Sequence, residues 1–381
     1  MTSKDNAAEP IYLDHNATTP VAAEVAEAMW PHLTTEFGNP SSATPQGRRA
    51  RAAVDRAREQ VAALLGAEAD EIVFTGGGTE ANNIAIRGAA AVASTPVAVT
   101  SAIEHPATVA PLAHLRDAHG WQVHELAVDT EARVELGEFP DGPVGVGTLI
   151  LAHNEIGTLE PVAEFAELVR AAGGVVHADA AQAVGKVPVL VDDLGVDLLS
   201  VAGHKLYAPK GVGALYVRRG TALVPVLRGA GQERGLRPGT ENVAAIVGLG
   251  AAAELAGGLL EAEGVRQAGL RELLWERLAA ALPGVIRVSP RAATLPNTLM
   301  VAVPGVLGAE VLGSTPGVAA STGSACRSGV HTPSAALLAM GIAPSDALGA
   351  LRLSVGRSTT GADIERAVAL LAGGAWRDRG A

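Results

Sequence analysis

The chain has 381 residues, 48% of them hydrophobic and only 18% charged, which is enough for two domains sharing a large core. Its net charge of −11 argues against a nucleic-acid groove or an anionic membrane surface as the main partner. Small charged metabolites stay open, because the local field of a site need not follow the total. A single cysteine, Cys326, excludes an intrachain disulfide and a C-x-x-C metal site, and no metal is expected.

No cationic stretch precedes an apolar run at the N-terminus. The most apolar windows, such as 244–260, carry Gly or Glu and read as short of a membrane span, so the expected place is the cytoplasm. After a polar start, a short strand at 11–13 leads into D-H-N-A-T-T-P. Residues 42–66 are helical in pattern, with Val54, Val61, Leu64 and Leu65 on one face and Gly66 as the C-cap. Strand-like runs at 71–74, 97–100, 147–152, 174–178 and 196–200 then alternate with helical ones. That alternation predicts an α/β fold with a mostly parallel sheet flanked by helices. After an Ala/Leu/Glu stretch at 251–264 the pattern changes. A helix at 270–281, strands near 285, 298–303 and 351–355, and a Gly/Ser-rich loop at 313–330 predict a smaller α+β C-terminal domain. The boundaries read as 15–260 for the large domain and 261–381, with 1–14, for the small one.

Polar residues cluster just after the strands, where open α/β sheets bind ligands. T-G-G-G-T-E (75–80) is a Gly-rich turn entering a helix. Its N–H groups, that of Gly78 included, and the Thr79 hydroxyl suit a phosphate; an ordinary strand–helix turn reads the same way. It is neither G-x-G-x-x-G nor a Walker loop, which argues against a nicotinamide-dependent oxidoreductase. Asp179 in H-A-D-A-A-Q is either an N-cap or the carboxylate that pairs with a pyridine nitrogen. His105 in E-H-P is either structural, or a residue that stacks on a flat ring or shuttles protons. Of four lysines, Lys4 lies in the polar start, and Lys186 and Lys210 read as surface. Lys205, in G-H-K at the end of a hydrophobic run, is either a loop lysine at a strand end or a buried amine of depressed pKa suited to a Schiff base. Phosphate anchor, acid, lysine and histidine together fit one cofactor, pyridoxal 5′-phosphate. Cys326, in S-T-G-S-A-C-R-S-G, reads as a reactive thiol on an exposed loop, with Arg327 favouring its thiolate.

With these residues in view, the chain resembles the cysteine desulfurases, in the class V branch of fold-type I pyridoxal-phosphate enzymes. The matching stretches run from Tyr12 to about Ile364: Y-L-D-H-N-A-T-T-P, F-G-N-P-S-S, F-T-G-G-G-T-E-A-N-N, I-E-H-P, N-E-I-G-T, D-A-A-Q-A-V-G-K, G-H-K-L-Y-A-P-K-G-V-G-A-L-Y-V-R, G-Q-E-R-G-L-R-P-G-T-E-N, S-T-G-S-A-C-R-S-G and L-R-L-S-V-G-R. The long loop ending in S-A-C resembles the subgroup that makes sulfur for iron–sulfur clusters and thiolated tRNA.

The resemblance implies an enzyme that converts L-cysteine to L-alanine and leaves the sulfur as a persulfide on Cys326, for a sulfur-acceptor protein. It implies that Lys205 holds the cofactor and Asp179 faces its pyridine nitrogen. By the same resemblance, Asn154 and Gln182 are expected near the ring hydroxyl, His105 stacked on the ring, and Thr79 and His204 on the phosphate. It further implies a homodimer in which Thr240 reaches the cofactor phosphate of the neighbouring subunit, and that Arg352, helped by Asn16, holds the substrate carboxylate. Selenocysteine lyase and a class V aminotransferase are the alternatives. The chain departs from the family pattern at Gly76 and Ala202, where serines are usual, and at Arg228, Ala230 and Pro238. Arg228 is read as a compensating cation near the phosphate.

Overall fold

The fold is that of a computed structural model, described for residues 9–322, 324–327 and 330–373. Strand β1 (Ile11–Tyr12) is followed by helices α1 (Ala23–Thr34) and α2 (Pro45–Leu65). Sequence chemistry sets the ends of α2. Thr44 caps it by accepting from the Gly47 N–H at 3.2 Å, Pro45 fills the first turn, and Gly66 stops it at φ 63°, a left-handed conformation that favours glycine. Val54, Val61 and Leu65 are buried as the apolar pattern predicts; Leu64 is only half-buried.

Next come β2 (Ile72–Thr75), α3 (Gly78–Ala90), β3 (Val97–Ser101), α4 (Pro106–His119) and β4 (Gln122–Leu126). They are followed by β5 (Val146–Ile150), α5 (Val162–Ala171), β6 (Val175–Asp179), β7 (Leu198–Ala202) and β8 (Gly213–Val217). The seven strands from β2 to β8 form one sheet in the order β2-β8-β7-β6-β5-β3-β4. The run from β7 to β4 is parallel, while β8 is antiparallel to both neighbours. The short 203–212 connection leaves no room for a crossover helix, so β8 turns straight back along β7. Strands β5, β7 and β8 are buried at every position, as strands covered on both faces must be.

A 39-residue helix, Val243–Ala281, packs on α1 and α2. It runs unbroken through both the 251–264 and 270–281 stretches and across the 260/261 boundary. By length and composition it reaches what a membrane crossing needs, which corrects the expectation that this stretch stops short. Its apolar first half serves the protein core: Ile246, Leu249, Ala252, Ala253 and Ala256 are buried. A Cβ at Gly250 would stand 2.6 Å from the Ala57 Cα, so glycine sets how closely this helix crosses α2.

Beyond it, Ile286–Arg287, Thr298–Ala302, Ala350–Ser354 and Ser321–Thr322 build an antiparallel four-stranded sheet. A separate apolar cluster, including Leu274, Leu278, Leu299, Leu353 and Ile364, lies against it. Strand β1 returns to this region and pairs in parallel with Val318–Ala319. Residues 11–16 thereby bridge the four-stranded sheet and the carboxyl ends of the large one.

Candidate active site

A cavity of about 280 Å³ opens where β2, β3, β5, β6 and β7 end. Asp179 is the last residue of β6, and Lys205 closes a single 3₁₀ turn after β7. His105 is the N-cap of α4 after β3, and Gly78 and Thr79 open α3 after β2. Asn154 follows β5 and Gln182 follows β6. With His204, Asn16 and Arg352, all of them line this one cavity. A strand ending in a parallel sheet releases its next residues into the crevice, which is why residues so far apart in sequence converge.

The Lys205 amine donates to the backbone oxygens of Asn16 and Ala17, the latter at 2.8 Å. Burial first, then the Arg352 charge, lower its pKa to about 8 against the opposing charges of Asp14 and Asp179. Asp179 is buried with both carboxylate oxygens held: Oδ2 accepts from Asn82 Nδ2 at 2.7 Å and Oδ1 from the Ala181 N–H at 3.0 Å. His105 Nδ1 accepts from the Ala107 N–H at 3.1 Å, so the proton of the neutral ring sits on Nε2. Burial also lowers the His105 pKa, which keeps the ring neutral. The same cause, followed by the charges of Lys205, Lys210 and Lys186, lowers His204 to about 4.

At the amino end of α3, Gly77 takes φ 147°, open to glycine alone, and aligns Gly78 and Thr79 for the first helical turn. The Gly76 N–H is taken by Glu80 Oε2, whose carboxylate also accepts from Arg237 Nε at 3.1 Å. A Cβ at Gly76 would stand 2.7 Å from that Oε2, so Glu80 fills the place of the usual serine. Ala202 lines the cavity without a hydroxyl.

Four expectations change. Lys186 is not a surface residue: its amine is buried and donates to Asn16 Oδ1 at 3.0 Å and Gln182 Oε1 at 2.7 Å. Asn16 has no side-chain capacity left for a substrate. Its Oδ1 accepts from Lys186 and from Asn297 Nδ2 at 3.0 Å, and its Nδ2 donates to the Asn154 oxygen at 3.2 Å and Thr298 Oγ1 at 2.8 Å. Arg228 is exposed and does not line the cavity, so it is no compensating cation within its own chain. Arg352 reaches the cavity already paired with Asp14, at 2.7 Å. Its Nε is buried, with no hydrogen-bond partner among the described residues.

Thr240 is exposed and does not line its own chain's cavity. Cys326 lies, by its backbone, in the strand Ser324–Arg327, antiparallel to Val330–Pro333. That corrects the expectation of a loop over 313–330, which holds the strands Val318–Ala319, Ser321–Thr322 and Ser324–Arg327; the expected exposure of the Cys326 side chain lies outside the described residues. Sequence reasoning missed Asn82. The signal was there: Thr79 and Asn82 are three apart at the start of α3 and share a helix face.

The family model for class-V aminotransferases matches residues 11–367. The chain belongs to the class-V aminotransferase family, in its cysteine desulfurase group. It is 43% identical over 370 residues to the cysteine desulfurase of Gluconacetobacter diazotrophicus, spanning 95% of this chain and 92% of that one. It is 43% identical over 365 residues to the cysteine desulfurase NifS of Azotobacter vinelandii, spanning 94% and 90%. The solved structure of a NifS-like protein superposes with a TM-score of 0.89 at 33% identity, covering 96% of this chain and 98% of that one.

Enzymes of this family depend on pyridoxal 5′-phosphate, and the residues here fit it. A buried carboxylate, an amine of lowered pKa, a neutral imidazole and an open helix amino terminus share one cavity. That donor set suits an aldehyde, a pyridine nitrogen, a flat ring and a phosphate.

Proposed function

We propose that this chain is a pyridoxal-phosphate-dependent cysteine desulfurase that converts L-cysteine to L-alanine and keeps the sulfur as a persulfide on Cys326. The observation that carries the reading is the Lys205 amine and the doubly held Asp179 carboxylate facing one cavity with the Arg352 guanidinium. When bound, the cofactor supplies the electron sink that acidifies Cα and weakens the Cβ–S bond. Lys205 would hold it, and Asp179 would keep its pyridine nitrogen protonated. Thr79, His204 and the Gly78 N–H would bind its phosphate, and Asn154 and Gln182 would meet the ring hydroxyl.

The chain's own residues do the rest. The Arg352 guanidinium, which lines the cavity, orients the substrate carboxylate. His105 would cover one ring face and offer its Nε2 hydrogen; with Nδ1 held by the Ala107 N–H it is no base in that tautomer. Lys205, with its pKa near 8, is the group that can both take and return a proton close to neutrality. The Cys326 thiolate forms a bond to the substrate sulfur while the Cβ–S bond breaks. The departing electron pair ends in a C–H bond of alanine, so the thiol and cysteine become a persulfide and alanine with no outside oxidant.

The sulfur then passes to an acceptor protein, for iron–sulfur cluster assembly or tRNA thiolation, a pathway that the IscS and NifS names of relatives favour. In this reading the enzyme is a cytoplasmic homodimer, with Thr240 reaching the neighbour's phosphate; the exposure of Thr240 outside its own cavity supports that. The cofactor-binding part is 15–260, and 261–381 with 1–14 carries the Cys326 segment.

The test is mass spectrometry of the protein after cysteine, without reductant. One added sulfur is expected on the peptide containing Cys326. Cys326→Ser should keep the yellow cofactor band and lose alanine release from cysteine. Full activity in that variant would sink the mechanism. Activity kept on selenocysteine alone would favour a lyase. Lys205→Ala should lose the visible band.

A further inference from the structure

Lys186 has no part in the chemistry just described, yet this half-buried residue sets its amine among the residues that carry it. Its amine supplies hydrogens to two side-chain oxygens, Asn16 Oδ1 and Gln182 Oε1. Each of those amides also donates to a backbone carbonyl, which can only accept: Gln182 Nε2 to the Asn16 oxygen at 2.9 Å, and Asn16 Nδ2 to the Asn154 oxygen. The two constraints agree, so neither amide is free to turn. The Asn16 backbone oxygen that receives Gln182 also receives the Lys205 amine. Lys186, Gln182, Asn16 and Lys205 therefore form one connected set.

We propose that Lys186 is a positioning residue for the bound cofactor: by holding Gln182 Oε1 it leaves the second Gln182 N–H, and no oxygen, to face the ring hydroxyl in the cavity. The proposal rests on the reading of the cavity as a pyridoxal-phosphate site. Without Lys186 a buried Gln182 Oε1 would have no partner; turning the amide would bring that oxygen toward the ring hydroxyl at the cost of the Nε2 hydrogen bond to the Asn16 oxygen, which alone would still resist the turn. The ring hydroxyl would then meet an oxygen. An anionic ring oxygen that has lost a donor holds its shared proton more tightly, so the visible band that reports that proton should titrate at higher pH.

The other charges around this set stay the same in every variant compared. Lys205 and Arg352 act on Lys186, and burial first, then both of them, hold its amine well below the ordinary lysine value. His15, Glu263 and Arg357 line the small cavity that Lys186 shares with Lys205. Asp14 and Asp179 act on Lys205.

The experiment is a pH titration of the visible band in the purified holoenzyme. Lys186→Met, similarly unbranched, one atom shorter and without a hydrogen to give, should raise the band's apparent pKa by about one unit, a tenfold gain in proton affinity. Lys186→Gln keeps an N–H donor and should stay close to the parent. In a Gln182→Met background, Lys186→Met should add no shift. Gln182→Glu with Lys186 in place leaves no N–H for the cavity and should shift the band upward too, which keeps the test open should Lys186→Met fail to fold. A merely structural lysine would lower the melting temperature of the cofactor-free protein without moving the band. An unmoved band in folded Lys186→Met or in Gln182→Glu, or an equal shift in the Gln182→Met background, overturns the proposal. A wild type that stays colourless with added pyridoxal phosphate overturns the cavity reading itself.

Discussion

Asn82 donates its Nδ2 hydrogen to Asp179 Oδ2 at 2.7 Å, from one turn into helix α3 to the end of strand β6. The same nitrogen reaches Thr108 Oγ1 at 3.1 Å, so α3 and α4 jointly fix the carboxylate. A hydrogen bond to a buried charged group is worth roughly 1.5–3 kcal/mol, and that bond fixes the direction in which Asp179 offers its free lone pairs. Asn82→Ala should lower kcat about tenfold or more, with a smaller change in KM. Asp179→Asn should lower turnover further, and the double variant should be no worse than Asp179→Asn alone. Steady-state kinetics on the three proteins decide it; additive losses would show that Asn82 acts elsewhere.

Arg352 is held on one side by Asp14 and on the other by the Asn154 oxygen, at 3.1 Å, with Ser321 Oγ at 3.0 Å from its Nη2. Arg352→Ala removes the carboxylate anchor, worth roughly 1.5–3 kcal/mol, and should raise KM for cysteine about tenfold or more. It also strands a partly buried Asp14, so stability should fall as well. Arg352→Ala with Asp14→Asn should recover melting temperature without recovering KM. Normal cysteine kinetics in Arg352→Ala would take the residue out of the site.

Thr240 is exposed beside the start of the 39-residue helix and faces no part of its own chain's cavity. In the proposed homodimer, light scattering should give twice the chain mass. Thr240→Val should speed cofactor loss during dialysis while the far-ultraviolet spectrum stays unchanged. A monomer with full activity would contradict this.

His153 gives a pH prediction. It is buried, and its Nδ1 accepts from the Ile156 N–H at 3.1 Å. Burial first, then the charges of Arg352 and His105, outweigh Glu155 and lower its pKa from 6.5 to about 4. The unfolded chain therefore binds this proton first. The contribution is complete above about pH 6.5 and is lost as pH falls toward 4. At pH 5 the loss is about 2 kcal/mol. Glu104 and Glu160, raised to about 8 mainly by burial, work in the opposite sense and lose stability as pH rises from 4.5 through 8. Comparing His153→Asn with wild type cancels their effect. The variant keeps an acceptor and should lose less melting temperature than wild type between pH 7 and pH 5; equal losses would be the contrary result.

Much of this site is legible in the amino-acid sequence. Apolar runs ending in Asp179, in Gly203-His204-Lys205 and just ahead of His105 mark buried strands whose polar ends must meet in one crevice. Gly66 and Thr44 mark the ends of α2 because capping chemistry is local. The single cysteine settles where a covalent sulfur must go. What only the tertiary structure decides involves partners far apart along the chain. Lys186 reads as a surface lysine after a glycine, yet its amine is buried by residue 16, which arrives from the amino terminus. Arg352 and Asp14 are 338 positions apart and meet because β1 pairs with Val318–Ala319 at the edge of the small sheet region. Asn16 reads as free to bind a substrate, but its four side-chain hydrogen-bond positions are filled from three different segments, around Asn154, Lys186 and Asn297-Thr298. A sequence shows which side chains can donate or accept. Whether that capacity is already used depends on where distant segments pack, and here, among the described residues, packing leaves Arg352 Nε without a partner while Gln182 Nε2 spends one hydrogen on the Asn16 oxygen.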